Sequence, residues 1–424
     1  MKNKEQWLSI LIVAMSLATA WAIRGQFGHE QGAAWAGAVG GLALIMVSKR
    51  KDWYNKMVLV ALASAVGWGA GGMISYGVVV GYGFADNFIN AFYGLSMLFV
   101  IGALFGLLGG GLVGLVLDDT KKSKVKWGSL MAEMVAGGLI GYFFLVEQIG
   151  FKMTPPRSEA WAIIFGAGLA MLWYMAREKR NSAIRVAIFS ALGGGFGFAF
   201  GNFLQVIGNV MEIQFNMWNV MEYSIGFFGG LGMAYGVFSS KWTIDEEESK
   251  KWVNRAALFI VVVLIPVILY RESLTYEHFI NRLGDISKLD YIASISTTVV
   301  AIILVLMSVI LLWKLKDGFY KKKDIALFFF IYLAVYIFIS YAVTGLFAGF
   351  MALNHHLYIL NIILLFILFK MEKPAMFDEV TNQINTKKWV ALFLILIMFI
   401  AILTVIAIST HGELGGSHNR FPIN

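Results

Sequence analysis

The sequence predicts an all-α integral membrane protein with about 13 transmembrane helices. Three observations carry that expectation. The 424 residues are 59% hydrophobic and only 14% charged, where a soluble chain carries about a quarter charged residues. Long apolar stretches, each near the ~20 residues that cross a bilayer, divide the chain into polar pieces. Lys and Arg crowd into every second piece: the odd-numbered pieces hold 27 of the 34, the even-numbered ones 7. The positive-inside rule then reads the N-terminus as cytoplasmic and the C-terminus as extracytoplasmic, in a bacterial-type plasma membrane. All six histidines fall in or beside the poorly basic pieces.

The expected spans are 6–23, 32–48, 57–80, 88–117, 127–146, 160–175, 186–207 and 215–238, followed by 256–270, 291–312, 325–346, 351–369 and 389–408. Trp7, Trp53, Trp127, Trp242, Trp252, Trp313 and Trp389 lie beside the basic clusters, where an aromatic belt belongs. The first segment also resembles a signal peptide, with Ala18-Thr19-Ala20 as a cleavage site. Retention is the favoured reading, because cleavage would strand its repeat partner.

The first eight spans read as four tandem hairpins in parallel orientation. Gly-x-x-Gly-Gly stands in the second helix of hairpin one (Gly37, Gly40, Gly41), hairpin two (Gly106, Gly109, Gly110) and hairpin four (Gly226, Gly229, Gly230). Hairpin three has the weaker Gly166-x-Gly168. First helices match as Ser64-Ala-Val-Gly67-x-Gly69 and Ser190-Ala-Leu-Gly193-x-Gly195. Glycine lets membrane helices approach closely, so residues 1–240 are expected to form a tight core. Residues 241–424 read as a more lipid-facing half of five helices, kinked at Pro266, with a short extracytoplasmic tail. The alternative for the glycines is packing without functional symmetry.

The absence of Cys removes disulfides, Cys-ligated clusters and a Cys nucleophile. The pI near 9.3 is accounted for by the topological Lys/Arg excess, and no nucleic-acid module is present, so the expected partners are membrane lipids. No cofactor and no metal is expected. Adjacent His355 and His356 point about 100° apart on a helix, and His411, Glu413 and His418 in the tail lack dedicated ligand spacing.

The residues singled out lie on the poorly basic side. The first outer connection carries Arg24, Gln26, His29, Glu30 and Gln31 between Trp21 and Trp35, at a depth where ionisable groups are functional candidates. Its plainer reading is an Arg24–Glu30 pair pinning the hairpin tip. Hairpin three offers Glu147 and Gln148, then Arg157 and Glu159 around Pro155-Pro156. In hairpin four Asn202, Gln205 and Asn209 share one helical face, and Asn219 and Glu222 another. Those amides either bind a solute or join helices. Hairpin two breaks the pattern, with only Tyr82, Asp86 and Asn87 at its tip. His355 is a further acid–base or coupling group. Glu133 is the one clear acid in the inner half of a span.

Two functions fit. The first is a transporter of a small polar solute, with a polar extracytoplasmic cavity formed by the hairpin tips. The second is an outward-facing membrane enzyme, such as a transferase using a lipid-linked donor, with Glu30 and His29 as acid–base groups. A cavity reaching past midplane toward Glu133 separates transport from an outer pocket open sideways to lipid.

Overall fold

A computed structural model describes residues 2–244, 250–284, 286–350, 352–371 and 375–422. The described residues are helical with no strand, and eleven helices are long and apolar enough to cross a membrane, or twelve when one bent pair counts as a single span. The architecture fits a multi-pass membrane protein. The expected count of thirteen is not reached. Met217–Phe238, read as the eighth span, is 22 residues long but carries Asn219, Glu222, Ser224 and five glycines, which pull its apolarity down.

The helices are α1 (Lys2–Arg24), α2 (His29–Ser48), α3 (Met57–Gly72), α4 (Gly77–Gly83), α5 (Phe88–Asp118), α6 (Trp127–Gln148), α7 (Ala160–Arg177), α8 (Asn181–Val210) and α9 (Met217–Phe238). After them come α10 (Lys251–Ser273), the short α11 (Tyr276–Leu283), α12 (Leu289–Leu315), α13 (Lys322–Thr344), α14 (Leu353–Met371) and α15 (Thr386–Thr410). Met351, the expected start of the twelfth span, lies outside the described residues.

Six helices close a ring: α1 packs on α2, α2 on α3, α3 on α5, α5 on α8, α8 on α9, and α9 returns to α1. Each Gly-x-x-Gly-Gly faces a neighbouring helix of the ring. A methyl added at Gly37 would stand 2.5 Å from the Ser64 carbonyl oxygen, and one at Gly226 would stand 2.7 Å from that of Leu17. One at Gly106 would run into the Ser190 carbonyl. Gly41 and Gly110 likewise meet the Cβ atoms of Ser64 and Ser190. Any side chain at these crossings would force the backbones apart and forfeit the dispersion contacts that hold helices together in lipid. Hairpin three, whose glycine pattern is weakest, stands outside the ring. Its α6 and α7 pack on each other, and α7 touches α5 and α8.

The ring has a filled axis. Trp68 is wholly buried between Gly109 and Gly229, and a methyl at Gly229 would lie 2.5 Å from its ring. Its centroid is 5.1 Å from that of Trp21, which is 5.6 Å from Phe105; Phe105 in turn is 5.9 Å from Phe198. These rings pack one on the next along the axis.

The second half wraps this ring: α14 lies beside α1, α13 beside α2, and α15 against α5 and α8. Trp35 of α2 stacks on Tyr332 and Tyr336 of α13, with centroids 4.4 and 4.9 Å away. The expected disturbance at Pro266 is a widened turn over Ile260–Leu264. Proline supplies no N–H, which releases the carbonyl four residues earlier. The Ser308 hydroxyl donates to that Val262 oxygen at 2.6 Å, and Tyr332 donates to Val261 at 2.8 Å. Neighbouring helices thus satisfy the freed backbone, as lipid requires.

Candidate functional site

The two ends of the ring differ. At one end, Arg180 pairs with Asp118 at 3.3 Å, and Lys56 donates to the Asp119 carbonyl at 2.6 Å, tying α3, α5 and α8 together. At the other end α1 finishes, α2 begins, and a cavity of about 400 Å³ opens.

Local sequence builds this cavity. The last turns of α3 are Gly67-Trp-Gly-Ala-Gly-Gly72, and they press against the first turn of α2: a methyl at Gly72 would sit 2.5 Å from the His29 carbonyl. Such a glycine-rich end has poor helix propensity, and the chain breaks there. The α3–α4 pair is bent by 67° at the break, correcting the continuous 57–80 helix expected from hydropathy. The break carries Tyr76 to the ring axis, 4.9 Å from Phe198.

Arg24 closes α1 and is buried, its side chain 1% exposed, with the guanidinium 4.9 Å over Trp21 and 5.5 Å over Tyr76. Its Nη1 donates to the Tyr76 hydroxyl at 3.0 Å and lies 3.6 Å from Glu222 Oε1. The Tyr76 hydroxyl donates to Glu222 Oε1 at 2.5 Å. His29 Nδ1 is 3.4 Å from the same Arg24 nitrogen, so it acts as acceptor and leaves the ring proton on Nε2. Arg24 Nε and Nη2 and Glu222 Oε2 are buried with no hydrogen-bond partner among the described residues. Glu222, Tyr76, His29, Gln26, Asn219 and Arg157 line the cavity, and Arg24 stands behind them as the counter-charge.

Gln26 links the wall to the second half. Its Oε1 accepts from Ser340 at 2.9 Å, and its Nε2 lies 3.3 Å from His355 Nε2. His355 Nδ1 is 3.3 Å from the Ala352 carbonyl, which places its proton on Nδ1 and makes Nε2 the acceptor. Arg282 of α11 donates to the Gln26 carbonyl at 2.8 Å. Asn219 donates to the Ala22 carbonyl at 3.0 Å and to the Tyr358 hydroxyl.

The structure brings together Arg24, Gln26, His29, Asn219 and Glu222, with His355 one contact behind. Glu30 is exposed and lies off the cavity lining; the partner of Arg24 is Glu222, correcting the Arg24–Glu30 pair. Gln31 packs against Gly28 rather than the cavity, and Glu147 and Gln148 are exposed at the end of α6. Asn202 and Gln205 are buried and bond one another at 3.4 Å, with Asn202 against Gly83. Glu159 holds its own loop, accepting from the Met153 and Thr154 amides and from Trp161. Glu133 pairs with Arg177 at 2.7 Å between α6 and α7. Tyr76 and Tyr358 were missed. The Gly-Ala-Gly-Gly run ahead of Met73 was the available signal for the helix break.

A helical membrane fold with one buried ion-pair cluster beneath a polar cavity is the class these features define. A family model described as Photosynthesis affected mutant 68 matches residues 179–254. That segment is under a fifth of the chain and takes in α8, α9 and the first residues of α10, including Asn219 and Glu222. No curated protein matches the chain.

Proposed function

We propose that this membrane protein binds, from its extracytoplasmic side, a small polar group bearing an anionic end and a hydrogen-bond donor, and acts on it from that side alone. The observation that carries the reading is the Arg24–Tyr76–Glu222 cluster at the base of a cavity with aromatic rings packed beneath it. A buried ion pair set directly behind a polar cavity wall polarises the groups that line it. Arg157 is the cationic side chain on the cavity wall and Glu222 the anionic one, matching an occupant with an anionic end and a donor. Glu222, rather than Glu30, is the carboxylate of the site, and His29 its proton-exchanging neighbour. This favours the one-sided, enzyme-type reading. Transport of a small polar solute is the second reading, supported by the broken α3–α4 helix, a device of transport cores.

The test is binding of small phosphorylated and carboxylated solutes to the purified protein, then assay in sealed vesicles. Glu222→Gln removes one charge-assisted bond and, in variant protein shown by cooperative melting to be folded, is expected to weaken binding by about ten- to a hundredfold. Conversion without accumulation supports the one-sided site; accumulation abolished by the same substitution supports transport. Unchanged binding by Glu222→Gln rejects both.

The reading also needs the topology of thirteen spans, N-terminus inside. Reporter fusions after Lys51 and Lys323 are expected to read cytoplasmic, and a fusion at the C-terminus extracytoplasmic. A cytoplasmic tail would invert the site. We place the protein in a plasma membrane; the family match, whose name concerns photosynthesis, makes a photosynthetic membrane the alternative, which fractionation separates.

A further inference from the structure

A second hollow, about 470 Å³, lies beside the polar cavity on the outer face of α8, α9 and α14. Its walls are aromatic and aliphatic, with Phe200, Leu204, Phe215, Phe227 and Leu357 among them, and Leu357 is 40% exposed. Asn219 lines both hollows. Asn219 donates to Tyr358 on the groove side, a tyrosine that also accepts from Asn354 at 3.3 Å. A polar chamber thus adjoins an apolar groove, with Asn219 on the wall of both.

We infer that the occupant is an amphiphile drawn from the surrounding leaflet, its anionic head on Arg157, a hydroxyl of that head donating to Glu222, and one hydrocarbon chain in the groove. This rests on the site proposed above and names its substrate class. Arg157 on the cavity wall selects the anionic head, and continuity through Asn219 selects a chain joined to that head over a separate apolar ligand. Lateral entry also fits a cavity with aromatic rings packed beneath it.

A homologous series tests this. The probes are n-alkyl phosphates of two to eight carbons, titrated by calorimetry into the full chain in a neutral sugar-headed detergent. Burial of each methylene is expected to tighten binding about fourfold until the groove is filled. Val220 lines the groove and not the cavity. Val220→Trp fills the groove, so it is expected to keep the affinity for ethyl phosphate within about twofold and to abolish the gain with chain length. Its ethyl phosphate binding also reports that the variant is folded. A flat series in the native protein, or the same slope in both proteins, overturns the amphiphile while leaving the polar site standing. No binding by any member to either protein overturns both.

Discussion

Leucine at Gly109 or Gly229 is expected to destabilise the protein severely. Trp68 fills the space where either side chain would go: a methyl at Gly229 already falls 2.5 Å from its ring, and Gly109 faces the indole nitrogen directly. The indole is wholly buried against Trp21, so it has no free volume to move into. Overpacking a full core costs about 1–3 kcal/mol, and these sites press on a rigid ring system rather than a flexible side chain. Gly128→Leu is the matched control, because nothing lies within 4 Å of its added methyl; a change within about 0.5 kcal/mol is expected there. Melting in detergent decides it. Equal melting temperatures for Gly109→Leu, Gly229→Leu and Gly128→Leu would refute the filled axis.

The second large effect is at the ion pair. Arg24 and Glu222 have side chains 1% and 4% exposed, with 3.6 Å between them. Removing one partner of such a pair strands the other charge and costs about 3–5 kcal/mol, whereas replacing both with apolar residues is often neutral. Arg24→Met and Glu222→Leu are therefore each expected to be strongly destabilising, and the double variant to recover most of the loss. The recovered double variant should still bind no polar solute. Additive losses in the double-mutant cycle would show that the two charges do not depend on one another.

Single-sequence reasoning found Arg24, His29, Asn219 and Glu222, because charged and amide groups inside apolar stretches stand out against their background. It also named Glu30, one residue beyond His29. Adjacent residues on a helix point about 100° apart, and only packing decides which of the two faces the cavity. Tyr76 was hidden, because an aromatic residue after a glycine-rich helix end is ordinary composition in a membrane chain.

What the sequence determined by itself was the kind of molecule: apolar helices with few charges, and glycines at intervals that require close crossings. Those are properties of single segments and of their partition between water and lipid. Only the tertiary structure decided that α1, α2, α3, α5, α8 and α9 close a ring while α6 and α7 stand outside. The same holds for the aromatic side chains along the axis and for the pairing of Arg24 with Glu222, 198 residues away in sequence. Those outcomes depend on which surfaces meet. In lipid, where apolar burial gives helices little reason to choose one partner over another, shape at the glycine crossings and satisfaction of the few buried charges make that choice.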